Sequence, residues 1–142
     1  MALIALSPGQ YGNLIDEIAD LLDQDVATVH KKVALDLLSG VVKKTPVDTG
    51  RARASWKVGL GTLDPSVAPE GSGPPADAVI GAGEAKIENM DRRRSSSPPP
   101  VWITNSLPYI GALENGHSNQ APQGMVAVTA AEVKSDLASL LR

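Results

Sequence analysis

The stretch Tyr11–Lys44 reads YGNLIDEIADLLDQDVATVHKKVALDLLSGVVKK, and its spacing decides the fold. Leu14, Ile15, Ile18, Leu21, Leu22, Val26, Val29, Val33, Leu37, Leu38 and Val41 recur at steps of three and four. That spacing stacks them on one face of a 3.6-residue helix. Asp16, Glu17, Asp20, Asp23, Lys31 and Asp36 occupy other positions and can face water. Acids crowd the first half, and Lys43 and Lys44 occupy the last turn, as a helix dipole favours. Pro46 ends the helix, because proline disfavours a helical Thr45 and has no amide to donate. A single helix over 11–44 is a rod of roughly 45–50 Å at 1.5 Å per residue. That exceeds the width of a small domain, so the excess points to a neighbouring subunit covering part of the stripe. Asp23-Gln24-Asp25 also allows a break, which leaves two helices as the other reading.

Downstream, Thr45-Pro46-Val47-Asp48-Thr49-Gly50 is a turn by composition: proline sets φ, aspartate can bond local amides and glycine tolerates positive φ. Asp48 or Thr49 is placed to cap a short helix, Arg51 to Ser55, that presents Arg51 and Arg53 together. The alternation of Trp56, Val58 and Leu60 with Lys57 and Gly59 predicts a strand. Residues 64–78, rich in Pro, Gly, Ser and Ala, read as a flexible loop. Ala78–Ala82 is a buried-strand candidate, and 84–91 a weak helical turn. Arg92-Arg93-Arg94, Ser95-Ser96-Ser97 and Pro98-Pro99-Pro100 form a second loop, about 92–100, stiffened by its prolines. Val101–Asn105 is the best strand. A short helix is expected over Leu107–Asn115, closed by Gly116, and a last helix over Gly124–Leu141. The fold class is therefore α+β: a long N-terminal helix packed on a small antiparallel or mixed sheet, with a short helix and a C-terminal helix.

A chain of 142 residues is enough for one domain, 1–142. Hydrophobic residues are 42%, yet there is no Phe and only two Trp and two Tyr, so the core rests on Leu, Val, Ile and Ala. A net charge of -3 is no general nucleic-acid footprint. The absence of Cys excludes disulfides, thiolate chemistry and cysteine-ligated metals. Met1–Leu6 lacks a basic flank and is too short for a signal peptide, and no transmembrane run is seen. His30 reads as a surface or boundary residue of the helix. His117 lies in a polar loop three residues from Glu114, a spacing that makes them neighbours and nothing more. No HExxH, phosphate loop or nucleophile elbow is present, so no enzyme activity, cofactor or metal is expected.

Two blocks carry a resemblance. The first is Lys44–Trp56, KTPVDTGRARASW. The second is Ile103–Ile110, then Leu113-Glu114-x-Gly116, then Ser118-x-Gln120-Ala121-Pro122-x-Gly124-Met125-Val126. In order and spacing they resemble a family of tailed-bacteriophage tail-completion and neck proteins, most of all the branch typified by the minor tail protein Z of phage lambda. With their flanking helices they cover about two thirds of the chain. The resemblance implies a structural virion protein of the tail or neck, made in the host cytoplasm and completing the head-proximal end of the tail for head–tail joining. It implies a homo-oligomeric ring, such as a hexamer, against tail terminator, tail tube or head connector proteins. The alternatives are another neck component, a connector or terminator, or a non-virion nucleic-acid-binding module. Its structural motif is Pro46, Asp48, Thr49, Gly50, Arg51, Ser55, Asn105, Pro108, Tyr109, Glu114, Gly116, Pro122 and Gly124. Physically, Tyr109 and Glu114 would reach the first turn, with Glu114 either paired to Arg51 or Arg53 or simply exposed. Arg92, Arg93 and Arg94 match no family motif. They read either as a solvated loop or, in a ring, as a non-specific contact with genomic DNA or a partner.

Overall fold

A computed structural model describes residues 2–6, 14–22, 26–89, 100–116 and 118–140. In chain order the elements are β1 (Ala2–Leu6), α1 (Leu14–Leu21), α2 (Val26–Lys44), α3 (Arg51–Ala54), β2 (Trp56–Leu60), α4 (Ala76–Glu88), β3 (Val101–Asn105), α5 (Ile110–Glu114) and α6 (Val126–Ser139). The class is α+β. The sheet is antiparallel with order β1-β3-β2. The strand VWITN, at the centre, is buried on both faces: Val101, Ile103 and Asn105 on one, Thr104 on the other.

The long rod is replaced by two helices. α1 ends at Leu21, Leu22 is a turn, and α2 begins at Val26, with 23–25 outside the described residues. α1 folds back to pack on α2 and α6. The reversal changes which side of α1 is covered: Ile18 and Ala19 are buried, whereas Leu21 and Leu22, expected in the core stripe, are exposed. α2 alone is about 28 Å long, so the length argument for a neighbouring subunit falls away.

α2 is the central post. Val29, Val33, Ala34, Leu37, Leu38, Val41 and Val42 are buried, a band wide enough to meet α1, α4 and α6. That width also encloses His30, which is fully buried rather than at the surface. Lys43 and Lys44 close the last turn as read, and Lys44 reaches Glu132 of α6 at 2.8 Å.

The second correction is at 76–88. The strand expected over Ala78–Ala82 and the weak turn after it form one helix, α4. Its buried positions are Val79, Gly83 and Ile87, spaced four apart, a pattern diluted by the alanines and glycines between them. Gly83 is required by proximity: a Cβ there would run into the Leu38 side chain and lie 2.9 Å from Val58 Cγ2. The bare Cα lets α4 sit on both α2 and β2.

Strand β1 was read only as a rejected signal peptide, and its pairing with β3 adds the third strand. The segment 7–13 that precedes α1 lies outside the described residues, as do Arg92–Arg94 and most of the loop around them. Helices α3, α5 and α6 and strands β2 and β3 appear where expected. α5 is shorter than predicted because Pro108 and Tyr109 form a turn ahead of it.

Candidate functional site

α2 ends at Lys44 and Thr45 becomes a relay. The Thr45 hydroxyl donates to Val41 O at 2.6 Å and accepts the Trp56 indole N–H at 2.7 Å. Both side chains are buried, so the relay fixes the first motif against β2. Pro46 is buried, while Asp48 and Thr49 are exposed. Gly50 has φ 92°, in the left-handed region, and its Cα faces the backbone of Gly73. Thr49 Oγ1 accepts the Arg51 amide at 3.3 Å. The Asp48 carboxylate, expected to bond local amides, makes no hydrogen bond among the described residues.

The arginines do not meet Glu114. Arg51 Nε donates to Ala68 O at 2.9 Å and Arg53 donates to Pro74 O at 3.0 Å. Ser55 Oγ, fully buried, donates to Arg51 O and accepts the Ala68 amide at 3.0 Å. Gly73 N donates to Thr49 O at 2.9 Å, and Thr104 Oγ1 donates to Asp64 O at 2.9 Å. The stretch read as a flexible loop from 64 to 78 is thus bonded to the first motif at Ala68, Gly73 and Pro74 and to β3 at Asp64, and 76–78 begin α4. Within it, Asp64 accepts the hydroxyl and amide of Ser66 at 2.6 and 2.9 Å. These two bonds, the hydroxyl first, hold the Asp64 carboxyl below its ordinary value; burial opposes them and Lys86, 3.6 Å away, assists.

Glu114 caps α6. Its carboxylate accepts the amides of Met125 and Val126, both at 2.8 Å, and Ala127 at 3.2 Å. These are among the donors a helix start leaves unpaired, and the negative charge suits that end of the dipole. This role replaces both expectations, the ion pair and simple exposure, because three convergent amides solvate the half-buried carboxylate. The neighbouring glycines make room for it. Gly124, φ 84°, lies against Glu114 O and its carboxylate, and Gly116, φ 87°, against Pro122 O.

The two blocks do come together. Asn105 Nδ2 donates to Ala52 O at 2.8 Å, and its Oδ1 accepts the Leu107 amide at 3.2 Å. The Gln120 side-chain amide pairs with both backbone groups of Val47: Val47 N donates to Oε1 at 2.9 Å and Nε2 donates to Val47 O at 3.3 Å. Between them lies a half-open cleft of about 240 Å³, lined by residues 46–52 with Tyr109, Leu113, Ser118 and Gln120. Tyr109 is 45% exposed at its rim, and Pro108 is exposed beside it. Gln120 belongs to the second block, but its pairing with Val47 was not foreseen; an exposed glutamine in a polar loop gives no signal of its target. His117, once weighed against Glu114, lies outside the described residues. Among the described residues no cluster of His, Asp or Glu is placed to hold a metal ion, and no helix is long and apolar enough to cross a membrane.

Comparison with protein-family models, curated proteins and solved structures finds no match.

Proposed function

We propose that this chain is a structural virion protein that completes the head-proximal end of a phage tail for head–tail joining, working as a ring of copies beside terminator, tube or connector proteins. The observation that carries the reading is the Gln120–Val47 pair, which ties two resembling blocks, 73 residues apart at that point, into one cleft. The cleft presents Tyr109 and Arg51, residue types enriched where one protein grips another. Five of the motif's seven polar side chains, Thr49, Arg51, Ser55, Asn105 and Glu114, bond to main chain, which fits a shaped contact surface better than a reaction centre.

The test is disruption of the gene in the phage or prophage that carries it. The expected outcome is DNA-filled heads and tails that remain unjoined, with joining restored by adding purified protein to the mixed lysate. Normal yields of joined infectious particles after disruption would overturn the proposal.

A further inference from the structure

The β2 strand has one edge on β3 and one facing outward. Gly61 N donates to Pro100 O at 2.8 Å, one step beyond the registered pairs Gly59↔Trp102 and Lys57↔Thr104. In an antiparallel ladder bonded pairs alternate, so Lys57 and Gly59 bond to β3, while Trp56, Val58 and Leu60 direct their amides and carbonyls outward. Independently, Val58 O accepts Lys86 Nζ at 3.2 Å from the outer side. Among the described residues, no other outward group of these three residues is bonded.

A groove runs along this edge between β2 and α4. On one side of Lys86 it is floored by Trp56 and Val58 against Pro74, Ala78 and Ala82, and on the other it opens beside Leu60 and Asn89. Lys86 divides it. Trp56 and Val58 are only 3% exposed, yet the Lys86 side chain beside Val58 is 51% exposed. Its hold on Val58 O is one long bond, and its ion pair with Asp64 is 3.6 Å. Lysine over a strand edge is a recognised guard against unwanted pairing.

We propose that Lys86 is a displaceable plug and that the β2 edge docks an extended acidic segment of a partner chain. A carboxylate of that segment takes the Lys86 ammonium, which frees Val58 O to accept an amide of the incoming strand, while the segment's small apolar side chains lie along Ala78 and Ala82. Charge selects the occupant. Among the described residues, Lys57 and Lys86 line the groove against a single acid, Asp64, which Ser66 and Lys86 already satisfy. A second copy pairing through its β1 does not meet this requirement, because Ala2–Leu6 carries no acid.

The test titrates the ¹⁵N-labelled full chain with a short blocked peptide of alternating threonine and valine bearing one central glutamate, and with the same peptide bearing lysine there. Amide shifts are expected at Trp56, Val58 and Leu60 and not at Leu3 or Ala5, the outward residues of β1. The glutamate peptide should bind at least about tenfold more tightly. Lys86→Met should erase that preference and Lys86→Arg should keep it. Silence at Val58 up to millimolar peptide, equal binding of the two peptides, or a preference that survives Lys86→Met would overturn the proposal. Shifts that arise on concentrating the protein alone would assign the edge to a second copy and overturn it equally.

Discussion

Replacing Glu114 by alanine removes one carboxylate and leaves three amides at the start of α6 without their acceptor. The three losses are unequal. Ala127 is exposed, so water replaces its bond at little cost. Met125 is fully buried and Val126 half-buried, so their amides lose most of a charge-assisted bond. Hydrogen bonds to charged groups contribute about 1.5–3 kcal/mol each, and such losses are not additive. The expected destabilisation is therefore about 2–4 kcal/mol for Glu114→Ala, above the ~1 kcal/mol of an ordinary surface cap. Glu114→Gln keeps one acceptor oxygen but turns an NH₂ toward the remaining donor, so about half the loss is expected. Urea unfolding followed by tryptophan fluorescence reads this directly. The midpoint should fall with an unchanged slope, and the melting temperature should drop by roughly 3 °C per kcal/mol for a domain of this size. A loss below about 0.5 kcal/mol for Glu114→Ala, or glutamine as damaging as alanine, would refute the reasoning.

Gly50→Val places a β-branched residue at φ 92° against the Gly73 backbone, and a loss of about 1–3 kcal/mol is expected in the same assay. Thr45→Val keeps the shape but leaves the buried Trp56 indole N–H unpaired; about 1–3 kcal/mol should be lost, while Trp56→Phe with Thr45→Val should cost less than the sum of the single changes. Because the Asp64 carboxyl is held below its ordinary value of 3.8, its contribution to stability is complete above that pH and disappears as pH falls through the lowered value. Ser66→Ala removes the largest cause, so a carboxyl-carbon NMR titration should show Asp64 moving back up toward 3.8. Tyr109→Ala, at a 45% exposed position, should change the melting temperature little yet lower head–tail joining in the complementation assay, a split that a purely structural tyrosine would not give.

Legibility in the sequence followed the strength of the local signal. Trp56–Leu60 and Val101–Asn105 alternate or run apolar between clear stops, and both are strands where read. The end of α2 at Lys44 was fixed by Pro46, a backbone constraint that packing does not override. Periodicity failed at the start of the chain because it constrains a helical face and not the axis: the phase across Asp23–Asp25 serves a rod and a hairpin equally well. It failed again at Ala76–Glu88, where a helix among neighbours on two sides needs only Val79, Gly83 and Ile87 to touch them. Alanine and glycine are small enough to allow close packing but carry too little hydrophobic contrast to announce it. Within the site, residue types predicted roles but not partners. Glu114 was expected either to pair with Arg51 or Arg53 or to be simply exposed, yet all three side chains bond to backbone.

That preference for backbone has a common cause. The turn at 45–50, the strap at 62–75 and the loop residues 118–125 are irregular, so most of their amides and carbonyls have no helix or sheet ladder to join. Arg51 and Arg53 serve carbonyls of the strap, Asn105 a carbonyl of α3, Gln120 both groups of Val47, and Glu114 the free amides of α6. The motif's polar side chains stand in for the missing secondary structure and hold three loops around one cleft. Freezing those loops before any partner arrives removes an ordering cost of about 0.5–1.5 kcal/mol for each side chain that would otherwise be immobilised on contact. A surface assembled in this way depends on its supports as a set. Loss of an inward-facing member such as Asn105 or Glu114 alters the shape of the whole cleft, whereas loss of an outward-facing one such as Tyr109 removes a contact and leaves the shape standing.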